Sequence, residues 1–588
     1  MRAFRTSSAL LAGFVATAIA TEAQSSDRAG CELPPRRPPA AVDQYYQTLF
    51  EKYGGADFRN PDEVRPTSEQ STYHLVVKYA DNTIAGCNVR LRSYNGKLVG
   101  DTIRVKPGDT IYVSLENELP VVSGSTPHPQ DPLPGGHMTH QFSFNITNLH
   151  THGLHTSPSG NSDNVLIEID PQQTQEYRIH IPESHPAGLF WYHAHFHGST
   201  ALQMSSGMAG ALIVEGGKDA NGGLDAVPEI AAAQQKIFVL QQLRYGPDGQ
   251  IEDFESALPR GKWRRSITVN GQFIPTIRMR PGEVQRWRFI HAGVEENINL
   301  SLDGHKLFEI ATDGNALGRM VAWPGSNPSD PLQSLVLGPG YRTEVLVQAN
   351  SLPQGTARQE FFLRDGPLPA RLSLQAAAAA TDLVANRTKL LATDILQEVV
   401  EKPARVIARV VVEGDPLNMA LPTADAFTDR VPSTQKPIQP SELTGDPQQI
   451  QLVTDLRSCS ADGDCLSHCD QPSDSCKQRY MVNGRVFNPA KEISLKLDHA
   501  SKWTVSSGDA FAHPFHIHVN PFMMTRQEPD GTGKLVSAIV WKDTVSLPTD
   551  GTSISIMSRY TDFTGEFVLH CHILSHEDMG MMSLVKID

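Results

Sequence analysis

The stretch Thr102-Ile-Arg-Val-Lys-Pro-Gly-Asp109, which follows Asn95-Gly96, recurs later in the chain. Its second copy is Thr276-Ile-Arg-Met-Arg-Pro-Gly-Glu283, which follows Asn270-Gly271. Each copy combines Asn-Gly, the strongest short hairpin pattern, with a β-branched strand and a Pro-Gly turn. The recurrence of such a unit predicts several copies of one β-domain.

A third, shorter copy lies near the C-terminal end. Asn483-Gly484 leads to Ile493-Ser-Leu-Lys-Leu497 without the Pro-Gly turn. Short β-branched runs separated by Pro, Gly and Asn dominate elsewhere, for example Thr110-Ile-Tyr-Val-Ser-Leu115. Such spacing is typical of antiparallel sandwiches, so the sequence predicts an all-β protein with three consecutive β-sandwich domains. The expected domain limits are residues 66–217, 218–413 and 414–588.

The segments outside the repeats differ in composition. Residues 1–23 have a basic start, an apolar run and a small-residue cleavage site, which is typical of a secretory signal. The run is too short for a membrane span of roughly 20 residues, so we expect an exported chain, periplasmic or secreted, without a membrane span. Residues 24–65 form a polar, proline-rich lead-in. The alanine-rich start of 375–400 indicates a short helix, and the stretch from Pro416 to Pro447 indicates a linker.

Charge and cysteine content narrow the function classes. The net charge is −14, and lysine and arginine form no cluster, which argues against nucleic-acid binding. An exported chain with seven cysteines leaves one unpaired. We expect a Cys31–Cys87 disulfide, and a disulfide-stapled loop in preference to a zinc site where four cysteines crowd together. Those four are Cys459, Cys465, Cys469 and Cys476. Cys571 remains, and histidines flank it on both sides.

The segment around Cys571 predicts two metal sites. His570, Cys571 and His572 are consecutive, and His576 and Met581 follow them. Side chains alternate faces on a strand, so both flanking histidines point one way and the thiol points the other. The strand is therefore expected to be a wall between two sites, with Cys571 as a short covalent path for electrons. A thiolate with imidazoles and a thioether suits copper best.

Three further His-x-His pairs precede this segment, and each presents two imidazoles on one strand face. They are His150 and His152, His193 and His195, and His516 and His518. Four such pairs could surround a compact metal cluster. His513 precedes His516 by three residues, beyond Pro514, so it can leave that face. It could then join Cys571, His576 and Met581 in the ligand set of a blue-copper electron-transfer centre.

With these motifs in view, the sequence resembles the three-domain multicopper oxidases of the bacterial laccase-like kind, over nearly the whole mature chain. The motifs are H-x-H-G at His150, W-Y-H-x-H ending at His195, H-P-x-H-x-H from His513 and H-C-H-x3-H-x4-M from His570. The resemblance implies three cupredoxin-like Greek-key β-sandwich domains. It also implies four copper ions: one type 1, one type 2 and a type 3 pair.

The resemblance also implies which residue holds which ion. The type 1 copper would take His513, Cys571 and His576, with Met581 axial. The type 2 copper would take His150 and His516. The type 3 pair would take His152, His193, His195, His518, His570 and His572. In this scheme the cluster of three coppers lies between the first and third domains, and the middle domain is a spacer that helps to shape the substrate entrance.

The activity implied by the resemblance is one-electron oxidation of phenol-like or other small donors, with four-electron reduction of dioxygen to water. Dioxygen reduction consumes protons, so we expect carboxylates near the cluster. The resemblance places Asp163 where related enzymes carry an acid near the type 2 site, and Glu577 at a position implicated in proton delivery. The second candidate function is a metallo-oxidase that acts on cuprous, ferrous or manganous ions. The third is a copper-binding or storage protein without turnover.

Several other residues are weaker candidates. His155 and His197 lie beside ligand motifs, and we expect them to support the site or lie at the surface. Four methionines could form a cuprous-ion site near the type 1 copper, but core packing is the better expectation. They are Met523, Met524, Met579 and Met582. Asn145 and Asn386 fit glycosylation sequons, which also occur by chance.

Overall fold

The computed structural model describes residues 42–121, 144–216, 223–246, 248–251, 264–324, 334–366, 404–459, 464–465, 467–468, 477–509, 511–532 and 534–588. Strands dominate these ranges and form six sheets. Within them, no helix has the length and apolar character needed to cross a membrane. Several predictions fall outside the described ranges: the signal segment, the helix within 375–400, and the fates of Cys31, Cys469, Cys476 and Asn386.

The first part of the chain folds into two sheets. Its strands are β1 (Glu63–Val64), β2 (Tyr73–Ile84), β3 (Cys87–Tyr94), β4 (Gly100–Val105), β5 (Thr110–Asn117), β6 (His150–His152), β7 (Thr174–His180), β8 (Gly188–His193) and β9 (Ala209–Val214). One sheet has the order β1-β4-β9-β8-β6, and the other has the order β3-β2-β5-β7. The first sheet carries two of the predicted histidine motifs at its β6 and β8 end.

The middle part also folds into two sheets. Its strands are β10 (Gln234–Tyr245), β11 (Arg264–Val269), β12 (Thr276–Met279), β13 (Val284–Ala292), β14 (Ile298–Leu302), β15 (Leu307–Thr312), β16 (Asn315–Trp323), β17 (Leu335–Leu337), β18 (Arg342–Gln348), β19 (Arg358–Asp365) and β20 (Arg405–Glu413). The sheet orders are β11-β10-β13-β18-β15-β16 and β12-β20-β19-β14-β17.

The last part repeats the plan. Its strands are β21 (Gln448–Ser458), β22 (Ser467–His468), β23 (Lys477–Val482), β24 (Glu492–Leu495), β25 (His499–Ser507), β26 (Pro514–Ile517), β27 (Phe522–Pro529), β28 (Leu535–Lys542), β29 (Thr544–Ser546), β30 (Ser553–Tyr560), β31 (Gly565–Cys571) and β32 (Met582–Ile587). One sheet has the order β22-β21-β25-β30-β27-β28, with β23 also paired to β21. The other has the order β24-β32-β31-β26-β29.

Helices are short and few in the described ranges. The α-helices are α1 (Val42–Tyr53), α2 (Thr200–Ser205), α3 (Pro228–Ala232) and α4 (Leu574–Asp578). The 3-10 helices are Glu69–Ser71, Gly223–Ala226, Ala424–Phe427, Ser433–Gln435 and Pro440–Glu442. The fold is therefore all-β, as the sequence predicts.

Each pair of sheets encloses an apolar core. Leu75 of β2 and Ile103 of β4 come from opposite sheets and are buried in one core of the first part. Trp287 of β13 and Val410 of β20 also come from opposite sheets and are buried in the core of the middle part. Trp503 is buried in the core of the last part. Burying one large apolar side chain stabilises the fold by about 1.5–3 kcal/mol. Each pair of sheets encloses many such side chains, so each pair forms one sandwich.

The predicted Asn-Gly turns are confirmed and share one geometry. Both residues have positive φ, with values of 53° and 77°, 54° and 75°, and 52° and 75° along the chain. This is the type I′ combination that suits Asn-Gly. In each turn the asparagine N–H donates to a strand carbonyl, and its Oδ1 accepts the N–H of the same strand residue. The pairs are Asn95 with Val76, Asn270 with Val239, and Asn483 with Gln451. One turn therefore recurs in all three sandwiches.

The two segments expected to be irregular are partly ordered. Tyr46 and Phe50 of α1, in the proline-rich lead-in, pack against Ile274 and Val406 of the middle part. The linker that follows β20 contains three of the 3-10 helices, and it buries Phe427 against the middle part. Amphipathic patterning of α1 was the feature that the sequence analysis passed over.

The predictions for the cysteines and for the Asn145 glycosylation sequon have different outcomes. Cys459 and Cys465 form a disulfide, which confirms the predicted disulfide in preference to a zinc site for these two cysteines. Cys571 is buried and free. Asn145 is buried, its Nδ2 donates to the Pro120 carbonyl and its Oδ1 accepts from Arg92, so the folded chain does not offer this sequon for glycosylation.

Candidate metal centres

Strand β31 separates two groups of potential ligands, as the alternation of His570 and Cys571 predicts. In its pairing with β26, His570 lies opposite His516, and Cys571 lies opposite Phe515. The Cys571 side chain belongs to the apolar core of the last sandwich. His570 turns to the other face, where its Nε2 lies 3.1 Å from Nε2 of His195. The wall predicted from the sequence is therefore present.

The cysteine site consists of His513, Cys571, His576 and Met581. Cys571 Sγ lies 3.5 Å from His513 Nδ1 and 3.9 Å from His576 Nδ1, and those two nitrogens are 3.3 Å apart. Helix α4 carries His576, and the Cys571 N–H donates to the Met581 carbonyl at 3.0 Å. Met581 is buried in the same core as Cys571. The chain thus brings two imidazoles to one buried thiol.

Asp509 supports this site, and the sequence analysis missed it. Its carboxylate accepts a hydrogen bond from His513 Nε2 at 3.0 and 3.1 Å, which leaves His513 Nδ1 facing Cys571. Burial lowers the pKa of His513, but the charges of Asp509 and Cys571 outweigh this and raise it to about 10. Such a carboxylate partner fixes the ring orientation of a ligating histidine. Its spacing, four residues before His513, is the pattern that could have revealed it.

The histidine cluster gathers the other eight predicted ligands at the contact between the first and last sandwiches. All are buried. They are His150, His152, His193, His195, His516, His518, His570 and His572. His150 lies opposite His193 where β6 pairs with β8. The His150 ring stacks on His518 at 3.9 Å between centroids, and the His152 ring stacks on His516 at 3.8 Å. Each stack joins the two sandwiches.

Within the histidine cluster, the nitrogens fall into compact sets. His195, His518 and His570 form one set, with His570 Nε2 within 3.1 and 3.3 Å of the other two Nε2 atoms. His150 belongs to two further sets, one with His516 and His518 and one with His152 and His193. Each set keeps its ligand atoms within 4.8 Å of one another, so each could hold a metal ion.

Hydrogen bonding distinguishes the two nitrogens in three of these rings. His150 Nδ1 lies 3.1 Å from Asp163 Oδ1, His193 Nδ1 donates to the Ala194 carbonyl at 2.8 Å, and His516 Nδ1 donates to the Asp543 carbonyl at 2.9 Å. Among the described residues, the Nε2 atoms of these three histidines have no hydrogen-bond partner. Buried polar atoms are rarely left so, and one oriented nitrogen with one open nitrogen is typical of metal ligation. The residues present therefore fit bound metal ions.

Burial also keeps these imidazoles in the form that binds metal. It lowers the pKa of His150, His193 and His570 well below the ordinary histidine value, and neighbouring imidazoles add to the shift. It lowers the pKa of His195 to about 4, although the Glu577 charge opposes the shift. Neutral imidazole is the ligating form, so the cluster is ready to bind without first losing protons.

The two predicted carboxylates lie at the histidine cluster. Asp163 accepts the Thr151 N–H at 2.8 Å beside His150, and burial raises its pKa to about 7. Glu577 lies 3.1 Å from His570 Nδ1 and 3.5 Å from His195 Nδ1. Burial raises the pKa of Glu577 to about 6, against the lowering effect of the His195 charge. Carboxyls with pKa values near neutrality are suited to taking up and passing on protons.

Asp543 is a third carboxylate at the cluster, and the sequence analysis missed it. Its Oδ1 lies 3.3 Å from His152 Nε2 and 3.5 Å from His516 Nδ1. Burial would raise its pKa, but the charge of Arg342 and the hydrogen bonds to Arg342 and His516 hold it well below the usual range. The polar run Lys542-Asp543-Thr544, directly after the apolar stretch Ala538-Ile-Val-Trp541, was the pattern that could have indicated it.

The weaker candidates lie outside both groups. His155 bonds Asp562 through Nε2 at 2.7 Å and faces the Val519 carbonyl through Nδ1, and His197 packs against Phe487. Met523 packs beside Trp541 in one apolar cluster. Met582 packs in another cluster, and Met524 packs against two of the sandwich cores. Core packing is therefore confirmed for these methionines, while Met579 is partly exposed at the end of α4.

Comparisons with known proteins agree with this geometry. Sequence models described as multicopper oxidase match residues 137–219, 191–365 and 463–588. A laccase of Bacillus subtilis (strain 168) is 25% identical in an alignment of 578 residues that covers 90% of this chain and 97% of the relative. The multicopper oxidase mco of Staphylococcus aureus is 22% identical over 84% of this chain and 83% of its own. The structure of a Campylobacter jejuni multicopper oxidase, titled a metallo-oxidase, superposes with a TM-score of 0.63 and 21% identity, covering 91% of this chain and 96% of that one.

Proposed function

This chain belongs to the multicopper oxidase family and is a copper-dependent oxidoreductase that uses dioxygen; we propose that it takes one electron from each small donor molecule and uses four electrons to reduce one dioxygen to water. The observation that carries the proposal is the pair of ligand groups on opposite faces of β31. Cys571 belongs to one group, and its direct chain neighbours His570 and His572 belong to the other, His572 through ring contacts with His152 and His516.

The proposed ligand assignment follows the family motifs, and the separation of the Cys571 site from the histidine cluster supports it. His513, Cys571, His576 and Met581 would hold a type 1 copper, and His150 and His516 a type 2 copper. The type 3 pair would be held by His152, His193, His195, His518, His570 and His572. Bound copper would supply the redox chemistry, accepting donor electrons at one site and reducing dioxygen at the other. The protein holds the rings through Asp509, Asp163 and Asp543, and Cys571 provides the covalent path between the groups.

The donor would approach through the partly exposed edge of His576. The rings of Tyr480 and Phe511 flank this imidazole at 4.7 and 6.3 Å between centroids. Aromatic side chains pack favourably against an aromatic donor, which supports phenol-like compounds as the substrate class. A second candidate class is cuprous, ferrous or manganous ions, and the Campylobacter jejuni relative that is titled a metallo-oxidase supports it.

An oxygen-uptake panel tests the proposed function. We expect the copper-loaded protein to consume dioxygen with a methoxyphenol, and to do so faster than with cuprous or ferrous ions at equal concentration. If the protein consumes dioxygen with the metal ions but not with the phenol, the phenol-like substrate class is wrong and a metallo-oxidase function replaces it. A blue, fully loaded protein that consumes no dioxygen with any donor would indicate copper storage and contradict the proposal.

The amide variants Asp163→Asn and Glu577→Gln test proton delivery. Each amide keeps the shape of the side chain but cannot take up and release a proton, so we expect turnover to fall by about 10- to 100-fold. The blue absorption should remain, because neither carboxylate contacts Cys571. Steady-state oxygen uptake across a range of pH measures the effect.

A matched control is Asp562→Asn, which alters a carboxylate bonded to His155, a histidine outside both ligand groups. It should turn over like the unaltered protein. Unchanged turnover of Asp163→Asn and Glu577→Gln across pH would contradict their proposed role.

We also propose that the chain is exported. The signal-like N-terminal sequence supports this, and so does the Cys459–Cys465 disulfide, because disulfides persist in oxidising compartments. Fractionation of cells that express the full chain tests this proposal. We expect to detect the protein outside the cytoplasm. Retention of all the protein in the cytoplasm would contradict it.

A further inference from the structure

The middle sandwich touches the histidine cluster directly, although it supplies none of the proposed ligands. Gly340, just before β18, has φ of 88°, and a Cβ atom there would come within 2.8–3.0 Å of the His572 ring. The backbone of this sandwich therefore packs against a proposed ligand. Two residues further on, Arg342 extends a fully buried side chain toward the same cluster. The expectation that this domain is a spacer does not account for either contact.

Arg342 forms a two-pronged ion pair with Asp543 of the last sandwich. Its Nη1 donates to Oδ1 at 2.7 Å, and its Nη2 donates to Oδ2 at 2.5 Å. Such a fork fixes the plane of a carboxylate as well as its position. The pair is enclosed, because both side chains are at most 4% exposed. The carboxylate of Asp543 is therefore held in one orientation by a residue of the neighbouring sandwich.

The orientation of Asp543 matters because it faces two histidines at once. Oδ1, the atom that Arg342 Nη1 holds, is also the atom 3.3 Å from His152 Nε2 and 3.5 Å from His516 Nδ1. Of these histidines, His152 belongs to the first sandwich and His516 to the last. The ion pair thus joins all three sandwiches at the cluster, through a single carboxylate oxygen.

The surroundings of the pair match this role. Asp313 accepts the backbone N–H of Arg342 at 3.0 Å and pairs with Lys542 Nζ at 2.8 Å, so a second interdomain ion pair flanks the first. Gly153, the glycine of the H-x-H-G motif, has φ of 87°, and a Cβ there would overlap the guanidinium of Arg342. The motif's glycine is therefore explained by the space that the arginine occupies.

We propose that Arg342 is a positioning residue for the type 2 end of the histidine cluster, acting through Asp543. It fixes the carboxylate that orients the His152 and His516 rings, so docking of the middle sandwich completes the metal site. The inference rests on the proposed copper assignment. Lysine cannot replace this fork, because an ammonium is a point donor and cannot bond both oxygens in the carboxylate plane.

The test compares Arg342→Lys and Arg342→Met with an interface control. Arg526→Met is suitable, because Arg526 donates to Glu309 across the same interface at 3.1 and 2.9 Å and pairs with Glu528, not with a carboxylate at the cluster. Each protein is loaded with copper. The readouts are the type 2 electron paramagnetic resonance spectrum, the copper count, the blue absorption and the rate of copper loss to a chelator.

We expect both Arg342 variants to keep the blue absorption, since the cysteine site lies on the other face of β31. Their type 2 spectrum should change, and type 2 copper should be lost about 10- to 100-fold faster than from the unaltered protein. Arg526→Met should reduce thermal stability alone. If Arg342→Met does not fold, Arg342→Lys decides, because it keeps the charge and changes only the fork.

An unchanged type 2 spectrum and chelator rate in the Arg342 variants would overturn the inference, and so would equal changes in Arg526→Met. Failure of the proposed copper assignment is distinguishable, because the unaltered protein would then bind no type 2 copper to compare, and failure of the oxidase function would appear as an absence of oxygen uptake by the loaded unaltered protein. Normal loading of the unaltered protein, combined with an unchanged type 2 spectrum and chelator rate in Arg342→Lys, contradicts only the positioning role.

Discussion

The Cys571→Ser variant is expected to lose its blue absorption and at least about a thousandfold of its turnover with every donor. The reason is that Cys571 Sγ is the soft atom that faces His513 and His576, and a serine hydroxyl is a much poorer ligand for copper. The same substitution leaves the chain connection to His570 and His572 in place but removes the thiolate at its start. Absorption spectroscopy, copper analysis and oxygen uptake measure the effect.

The histidine cluster should survive this substitution. Serine nearly matches cysteine in shape, and an unpartnered buried hydroxyl costs about 1–3 kcal/mol, which a protein with three large cores can sustain. We therefore expect the type 2 spectrum to remain and the copper count to fall by one. A variant that keeps both its blue colour and its turnover would show that Cys571 is not a copper ligand.

The His518→Ala variant should show the opposite pattern. His518 Nε2 lies 3.3 Å from His570 Nε2, and its ring stacks on His150, so its loss opens the histidine cluster without touching Cys571. We expect the blue absorption to remain and dioxygen uptake to fall by at least about a thousandfold. A donor should bleach the blue colour, and the colour should not return in air, because electrons have no outlet to dioxygen.

A histidine outside both groups provides the control. His499 at the start of β25 pairs with the Thr444 hydroxyl at 3.1 Å, and His499→Ala should keep its colour, its copper and its turnover. If His518→Ala also turned over normally, the histidine cluster would not be where dioxygen is reduced. Since Cys571→Ser and His518→Ala fail in different ways, each also serves as a check on the other.

The features that sequence predicts best here are local in the chain. The Asn-Gly turns are confirmed because two adjacent residues decide the backbone conformation, and the same bonds recur at Asn95, Asn270 and Asn483. The separation of His570 from Cys571 follows from strand alternation alone. The common face of His516 and His570 follows in the same way, because these two residues lie opposite each other where β26 pairs with β31. His518 and His572 lie just beyond the ends of these strands.

The features that sequence did not predict depend on contacts between distant residues. Asp543 and Arg342 are 201 positions apart, and nothing in either local pattern indicates that they meet beside His152. Helix α1 was missed for a related reason, because its apolar residues have a partner only when the middle sandwich is in place. The ligands could be read as motifs, whereas the residues that orient them became visible only in the packed structure.

The central claim is that two copper sites on opposite faces of β31 act together to reduce dioxygen fully. The most direct test is the stoichiometry of oxygen uptake by the copper-loaded protein with a one-electron donor in known amount. The account predicts one dioxygen consumed for four donor molecules oxidised, with no hydrogen peroxide released. Release of hydrogen peroxide at one dioxygen per two donors, or oxidation of the donor without oxygen uptake, would contradict it.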